Sequence, residues 1–203
     1  MKTISQLIIT MMICLFSIQT WAQSGKLFNT DNQLSSNLAT QVFQDKSGFI
    51  WIATRNGLNN YDGYHINVIK KDMSNFLGLN SNYINSIAQD EKEHILLGTN
   101  NSLLEFTGSE FLKIPMLDSK GKELATYVKQ IYPLRNKDVA VATSGYGIML
   151  KKQDEQKCHA MKGEVEKLKY IHKLLEDKRG RLWIITEDGK LYRKETNGRV
   201  TSH

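Results

Sequence analysis

Seven residues stand out as able to act together on a ligand: Arg55, Asn56, Asn100, Asn101, Tyr146, Glu187 and Asp188. Each lies within three residues of a threonine that ends a short apolar run, at Thr54, Thr99, Thr143 or Thr186. Amides, charged groups and an aromatic ring suit a hydroxyl-rich ligand, which needs many directional hydrogen bonds. Asparagine and glycine are also what tight turns require, so each residue taken alone has a purely turn-forming reading.

Covalent and metal chemistry finds less support. The five histidines, His65, His94, His159, His172 and His203, show no metal-ligand spacing. There is no nucleophile elbow and no phosphate-cradling glycine loop. Gly145-Tyr146-Gly147 reads as a turn, and the adjacent acids Glu187-Asp188 read as solvated. Trp51 and Trp183 could stack on a sugar ring, but their place inside apolar runs assigns them to packing. Cys158 lies in a polar stretch with no activating base beside it. The expectation is therefore a chain with no catalytic residues, no metal and no cofactor.

The elements that must position the seven residues come from a repeat. The four threonines are separated by 45, 44 and 43 residues. Self-similarity at such a period signals a repeat architecture. In the first unit, strands are expected at 39–44, 49–54, 58–61 and 64–69, joined by turns at Asp45-Lys46-Ser47-Gly48, Arg55-Asn56-Gly57 and Asp62-Gly63. The second unit repeats this over 83–89, 95–99, 103–106 and 111–114. The third offers 128–132, 139–143 and 148–151, and the fourth 170–175, 182–186 and 191–193. Residues 164–176 also carry a helical stripe, Val165, Leu168, Ile171, Leu174 and Leu175. The register favours a strand there, because Asp177 precedes Trp183 by six residues as Asp45 precedes Trp51.

The second strand of each unit is apolar without alternation, as in Phe49, Ile50, Trp51 and Ile52. Such a strand must be covered on both faces. One sheet cannot cover both of its own faces, but stacked neighbours can. This is the logic of a β-propeller. The fold expected is all-β, with about four four-stranded antiparallel blades near 34–72, 79–116, 125–160 and 168–203. In an up-down blade, the turn between second and third strands and the link to the next blade emerge together. That face gathers the seven residues, with Asn80 and Asn82 from one link. Small residues recur at Ala53, Gly98 and Ala142, where blades should approach closely, and Ile185 breaks the pattern.

Residues 1–22 read as a secretory signal peptide: Lys2, an apolar stretch from Leu7 to Ile18, and Thr20-Trp21-Ala22 before Gln23. The rival is an uncleaved N-terminal anchor. The repeat region then occupies 23–203. The net charge is +6, and residues 151–203 hold 14 basic and 9 acidic residues. Interleaved acids and the lack of a dense basic stripe argue against a nucleic-acid platform.

The string from Leu34 to Tyr64 closely resembles the first blade of the two-component regulator propeller family. The resemblance rests on Leu34-Ser35-Ser36-Asn37, Gln44-Asp45 with Gly48, Trp51-Ile52 with Thr54, Asn56-Gly57-Leu58 and Tyr61-Asp62-Gly63. It is partial around Asp177, Gly180, Trp183, Asp188-Gly189 and Leu191-Tyr192. It is weak in the middle units, where Leu96 and Ala140 replace the tryptophan. The resemblance implies the periplasmic sensor region of a hybrid two-component system. Such sensors respond to oligosaccharides and control polysaccharide-utilisation genes. It implies seven or so blades, so four form an incomplete ring whose bare faces invite self-association or complementary blades. A non-catalytic interaction or adhesion scaffold is the alternative. Kinase and receiver motifs are absent from this sequence. Lys26-Leu27-Phe28 is expected to be a strand that completes a last blade.

Overall fold

The computed structural model describes residues 25–71 and 78–203. The proposed signal peptide lies outside the described residues. The first sheet holds β1 (Ala39–Gln44), β2 (Ile50–Thr54), β3 (Gly57–Tyr61) and β4 (Ile66–Ile69). The second holds β5 (Ile84–Gln89), β6 (Ile95–Thr99), β7 (Leu103–Phe106) and β8 (Phe111–Ile114). A two-residue strand, β9 (Met116–Leu117), follows it. The third holds β10 (Val128–Pro133), β11 (Val139–Thr143), β12 (Ile148–Lys151) and β13 (Cys158–Ala160). The fourth holds β14 (Ile171–Glu176), β15 (Leu182–Thr186), β16 (Leu191–Lys194) and β17 (Val200–Ser202). Each set of four is an antiparallel meander. Beyond the four-strand expectation, β9 joins the third sheet's outer edge, parallel to β13.

The helical stripe is a strand where it matters. Residues Glu164–Lys167 form one 3-10 turn, and β14 then occupies the first-strand position of the fourth blade.

The sheets stack as blades, and alternate residues of one strand supply two different cores. Ile95 and Leu97 face the first blade, in a cluster with Trp51, Ala53 and Leu58. Leu96, between them, faces the third blade, among Val128, Ile131 and Val141. Likewise Val139 and Val141 belong to the core shared by the second and third blades, while Ala140 and Ala142 face Leu174, Leu182 and Ile184 of the fourth. All five residues of β6 and of β11 are buried. Full burial of one such aliphatic side chain contributes about 1.5–3 kcal/mol.

Polar stitches align the blades. Every first strand starts with a register shift, at Ala39/Gln41, Ile84/Ser86, Val128/Gln130 and Ile171/Lys173. A bulge re-aims the side chain that follows it. Gln41 accepts from the Ile87 amide at 2.9 Å and donates to the Ile87 carbonyl at 2.8 Å. The Ile131 amide donates to Ser86 Oγ at 3.0 Å, and the Leu174 amide donates to Gln130 Oε1 at 2.7 Å. Lys173 holds the corresponding place on the last blade and is exposed.

First strands contact one another in chain order, and the ring is not closed. The two ends differ. On the fourth blade, Leu175 and Ile185 are exposed beside Trp183 and Leu191, around a cavity of about 190 Å³. On the first blade, residues 26–28 are not a strand. They cross the outer face, where Phe28 meets Tyr61 edge-on with ring centroids 5.0 Å apart. Further along, buried Asn59 holds Ser35, because its amide must find partners: it accepts from the Ser35 amide and donates to Ser35 Oγ and the Ile52 carbonyl. Val42 on the same sheet remains 62% exposed, so the cover is partial.

Candidate ligand-binding face

The four threonines build the face. Thr54 Oγ donates to the Gly57 carbonyl at 2.8 Å and accepts from the Asn56 amide at 3.0 Å. Thr143 donates to the Gly147 carbonyl at 2.7 Å, and Thr186 to the Lys190 carbonyl at 3.1 Å. Thr99 closes its turn with the Ser102 carbonyl and accepts from the Asn101 and Ser102 amides. A hydroxyl that closes a turn in this way explains why each apolar run ends in threonine.

The seven residues chosen from the sequence fall into three sets. Asn100 accepts from Ser81 Oγ at 2.8 Å, and Asn101 accepts from Thr99 Oγ1 at 3.0 Å. Asn80 accepts from Ser102 Oγ, and Asn82 from the Lys71 amide. These amides close turns and links. Asn56 is exposed, and its backbone serves the Thr54 turn. Glu187 and Asp188, by contrast, line a cavity of about 360 Å³ with Lys167, Lys169, Tyr170 and Tyr192. Tyr146 lines a neighbouring cavity of about 100 Å³, and Lys169 borders both. The Lys169 carbonyl accepts from the Gly145 and Gly147 amides at 2.9 and 2.8 Å, which ties this link to the Gly-Tyr-Gly turn. Gly147 has φ +76°, and a Cβ there would sit 2.5 Å from the Leu168 carbonyl oxygen, so only glycine fits.

Arg55 leads to residues not selected from the sequence. Its guanidinium lies over the Tyr83 ring, 5.6 Å from the centroid. Tyr83 meets Tyr127 edge-on at 6.1 Å, and Lys129 lies over Tyr127 at 4.5 Å and pairs with Glu187 at 3.4 Å. Tyr127 donates to Asn85 Oδ1 at 2.7 Å, and the Asn85 Nδ2 atom is buried without an acceptor among the described residues. The row thus runs from the first blade to the fourth. Tyr83, Tyr127 and Tyr170 immediately precede β5, β10 and β14, and their spacing of 44 and 43 residues follows the threonine period.

Electrostatics set the charge states. Burial first, then the neighbouring Tyr83 phenol, push Tyr127 up to about 12, so it stays a neutral donor. The Lys190 ammonium and then the Thr186 hydroxyl hold Asp188 down at about 2. At the far end of the blades, the Trp183 indole and the amides of the Asp177 turn hold Asp177 well below the usual carboxylate range. Asp45 takes the Trp51 indole N–H in the same way, at 2.7 Å. The six-residue Asp–Trp spacing is therefore a hydrogen bond as well as a register mark.

Residues 33–56, 78–101 and 167–188 match the family described as two component regulator propeller, and these matches fall on three of the four blades. No curated protein matches the sequence. Among solved structures, the extracellular domain of a B. thetaiotaomicron protein described as a hybrid two component system superposes with a TM-score of 0.71 at 17% identity. That match covers 82% of this chain and 25% of the other. A second extracellular domain from the same organism, described likewise, gives 0.54 at 16% identity over 87% of this chain and 31% of the other. Virginiamycin B lyase from Staphylococcus aureus gives 0.66 at 12% identity, covering 90% and 60%. This chain therefore spans about a quarter of the first extracellular domain's length. At these identities the likeness establishes the propeller fold, which these extracellular domains and a lyase share. No helix of the described residues is long and apolar enough to cross a membrane.

Proposed function

We propose that this chain, built on two component regulator propeller repeats, is a non-catalytic sensing propeller that binds an oligosaccharide on its tyrosine-lined face. The single observation that carries this reading is the row Arg55, Tyr83, Tyr127, Lys129 and Glu187, which crosses all four blades. Tyrosine faces give apolar area for the pyranose C–H surface, and flanking amides and charges give directional partners for hydroxyls. The adjoining cavity, about 360 Å³, lies within the size range of small-molecule sites. The chain is read as exported to the periplasm by residues 1–22, as the N-terminal part of a hybrid two-component sensor that controls polysaccharide-utilisation genes. The family match and the extracellular neighbours support this context.

Calorimetry against a panel of neutral and acidic oligosaccharides tests the reading. One class should bind saturably, and Tyr83→Ala should weaken that binding about five- to tenfold, on the order of 1 kcal/mol for one aromatic contact. Silence across the panel from the folded protein would refute oligosaccharide sensing.

A second reading, an interaction module, draws on the bare face of the fourth blade. Four strands of five residues present roughly 300 Å² on one face, and exposed apolar surface of this kind favours association. Light scattering should show self-association that Leu175→Lys reverses. A monodisperse monomer at all concentrations would remove this reading.

A further inference from the structure

At the end of the blades opposite the tyrosine row, the second blade keeps the aspartate of the first and fourth blades but not their tryptophan. Asp45 Oδ2 and Asp177 Oδ2 each accept a tryptophan indole N–H, at 2.7 and 3.0 Å. In the second blade Leu96 stands where that tryptophan would be, and Asp90 occupies the aspartate position. Asp90 Oδ1 still caps its turn, accepting from the Lys92 and His94 amides. Asp90 Oδ2 accepts no hydrogen bond from any described residue, although its side chain is only 5% exposed.

Three other side chains converge on that oxygen. His94 Nδ1 is 4.0 Å away and the Lys151 ammonium, from the third blade, is 3.8 Å away. Glu105, 2% exposed and paired across the sheet with Leu96, meets His94 Nδ1 at 2.6 Å. His94 is its one partner among the described residues. Donor atoms of Asp90, His94 and Glu105 all lie within 4.8 Å of one another. Two buried carboxylates this close, one facing Lys151 at 3.8 Å and the other paired only with His94 among the described residues, are a costly arrangement unless a further cation is taken up.

We infer that Asp90, His94 and Glu105 form a binding site for a divalent transition-metal ion, zinc being the reference case. One nitrogen and two carboxylate oxygens are a donor set zinc accepts, at about 2.0–2.2 Å, with the fourth position left to water. His94 is one-third exposed and gives the route in. Lys151 holds the cation's place in the metal-free protein and yields when the metal enters. Histidine spacing alone conceals this site, because only one ligand is a histidine and Glu105 arrives from the next strand.

The test is zinc titration of the intact chain by calorimetry, with cobalt(II) absorption as a second readout. Wild type should bind one zinc per chain and give the visible bands of a low-coordinate cobalt site. His94→Ala, at a one-third-exposed position, should keep the fold by circular dichroism and lose more than about tenfold in affinity, together with the cobalt bands. Lys151→Met should tighten zinc binding by removing a competing positive charge. Absence of saturable zinc binding by wild type, or binding and bands unchanged in His94→Ala, would overturn the assignment.

Discussion

Leu97→Ala is expected to lower the unfolding free energy by about 2–5 kcal/mol. Leu97 is 0% exposed and lies in the core between the first two blades, against Trp51, Ala53 and Leu58. Its neighbours on the strand point into a different core, so the walls around it belong to two separate sheets and collapse poorly into a void. Leu175→Ala supplies the contrast. Leu175 is 58% exposed on the uncovered face of the last blade. Its truncation should change stability by no more than about 0.5 kcal/mol. Urea unfolding of both variants, with midpoints compared at constant slope, measures the difference. Equal losses at the two positions would mean that the sheets do not cover one another.

Gly98→Ala should cost about 1–3 kcal/mol by overpacking. A Cβ at position 98 would lie 2.4 Å from Val128 Cγ1 and 3.0 Å from Val128 Cβ, across the joint between the second and third blades. Val128 is 0% exposed and β-branched, so its rotamers are restricted, and a χ1 change leaves its Cβ contact in place. Adding Val128→Ala to Gly98→Ala should recover part of the loss, as residues in contact are energetically coupled. Thermal unfolding of the two single variants and the double variant reads this directly. Additive losses would place the residues out of contact.

The repeat was legible because its strongest signal is physical. A strand that is apolar on both sides, such as β6 or β11, has one solution in an antiparallel sheet, which is a neighbour on each face. The small residues Ala53, Gly98 and Ala142 were legible for the same reason, and Gly98 meets Val128 at the blade joint. At 164–176 the register's strand reading holds against the helical stripe. Its apolar spacing satisfies a 3-10 turn followed by a strand whose Ile171 and Leu174 face the third blade.

What stayed hidden depends on contacts distant in sequence. β9 is two residues long and is fixed by its parallel partner β13, some forty residues on, so no local pattern marks it. Residues 26–28 do not form the expected strand completing a last blade; instead Phe28 covers Tyr61, and Asn59 anchors Ser35. The tyrosine row was missed because each ring sits just outside its strand, in the link, where attention falls on asparagine and glycine. Its period was nonetheless readable, since Tyr83, Tyr127 and Tyr170 keep the threonine spacing. Of the seven residues chosen from turn positions, the structure places Arg55 and Glu187 on that row and Tyr146 and Asp188 in the adjoining cavities. Asn56, Asn100 and Asn101 serve the turns themselves.

Amide hydrogen exchange tests the stacking of the blades most directly. In an open arc, the second and third blades have a neighbour on each face, whereas the fourth has one. The amides of β6 and β11 should therefore exchange only through global unfolding, and those of β15 through smaller, local openings. The amides of Ile131 and Leu174, held by side chains of the preceding blade, should be protected with the joints they close. Protection that is uniform across all four second strands, or slower exchange in β15 than in β6 and β11, would contradict an open stack of mutually covered blades.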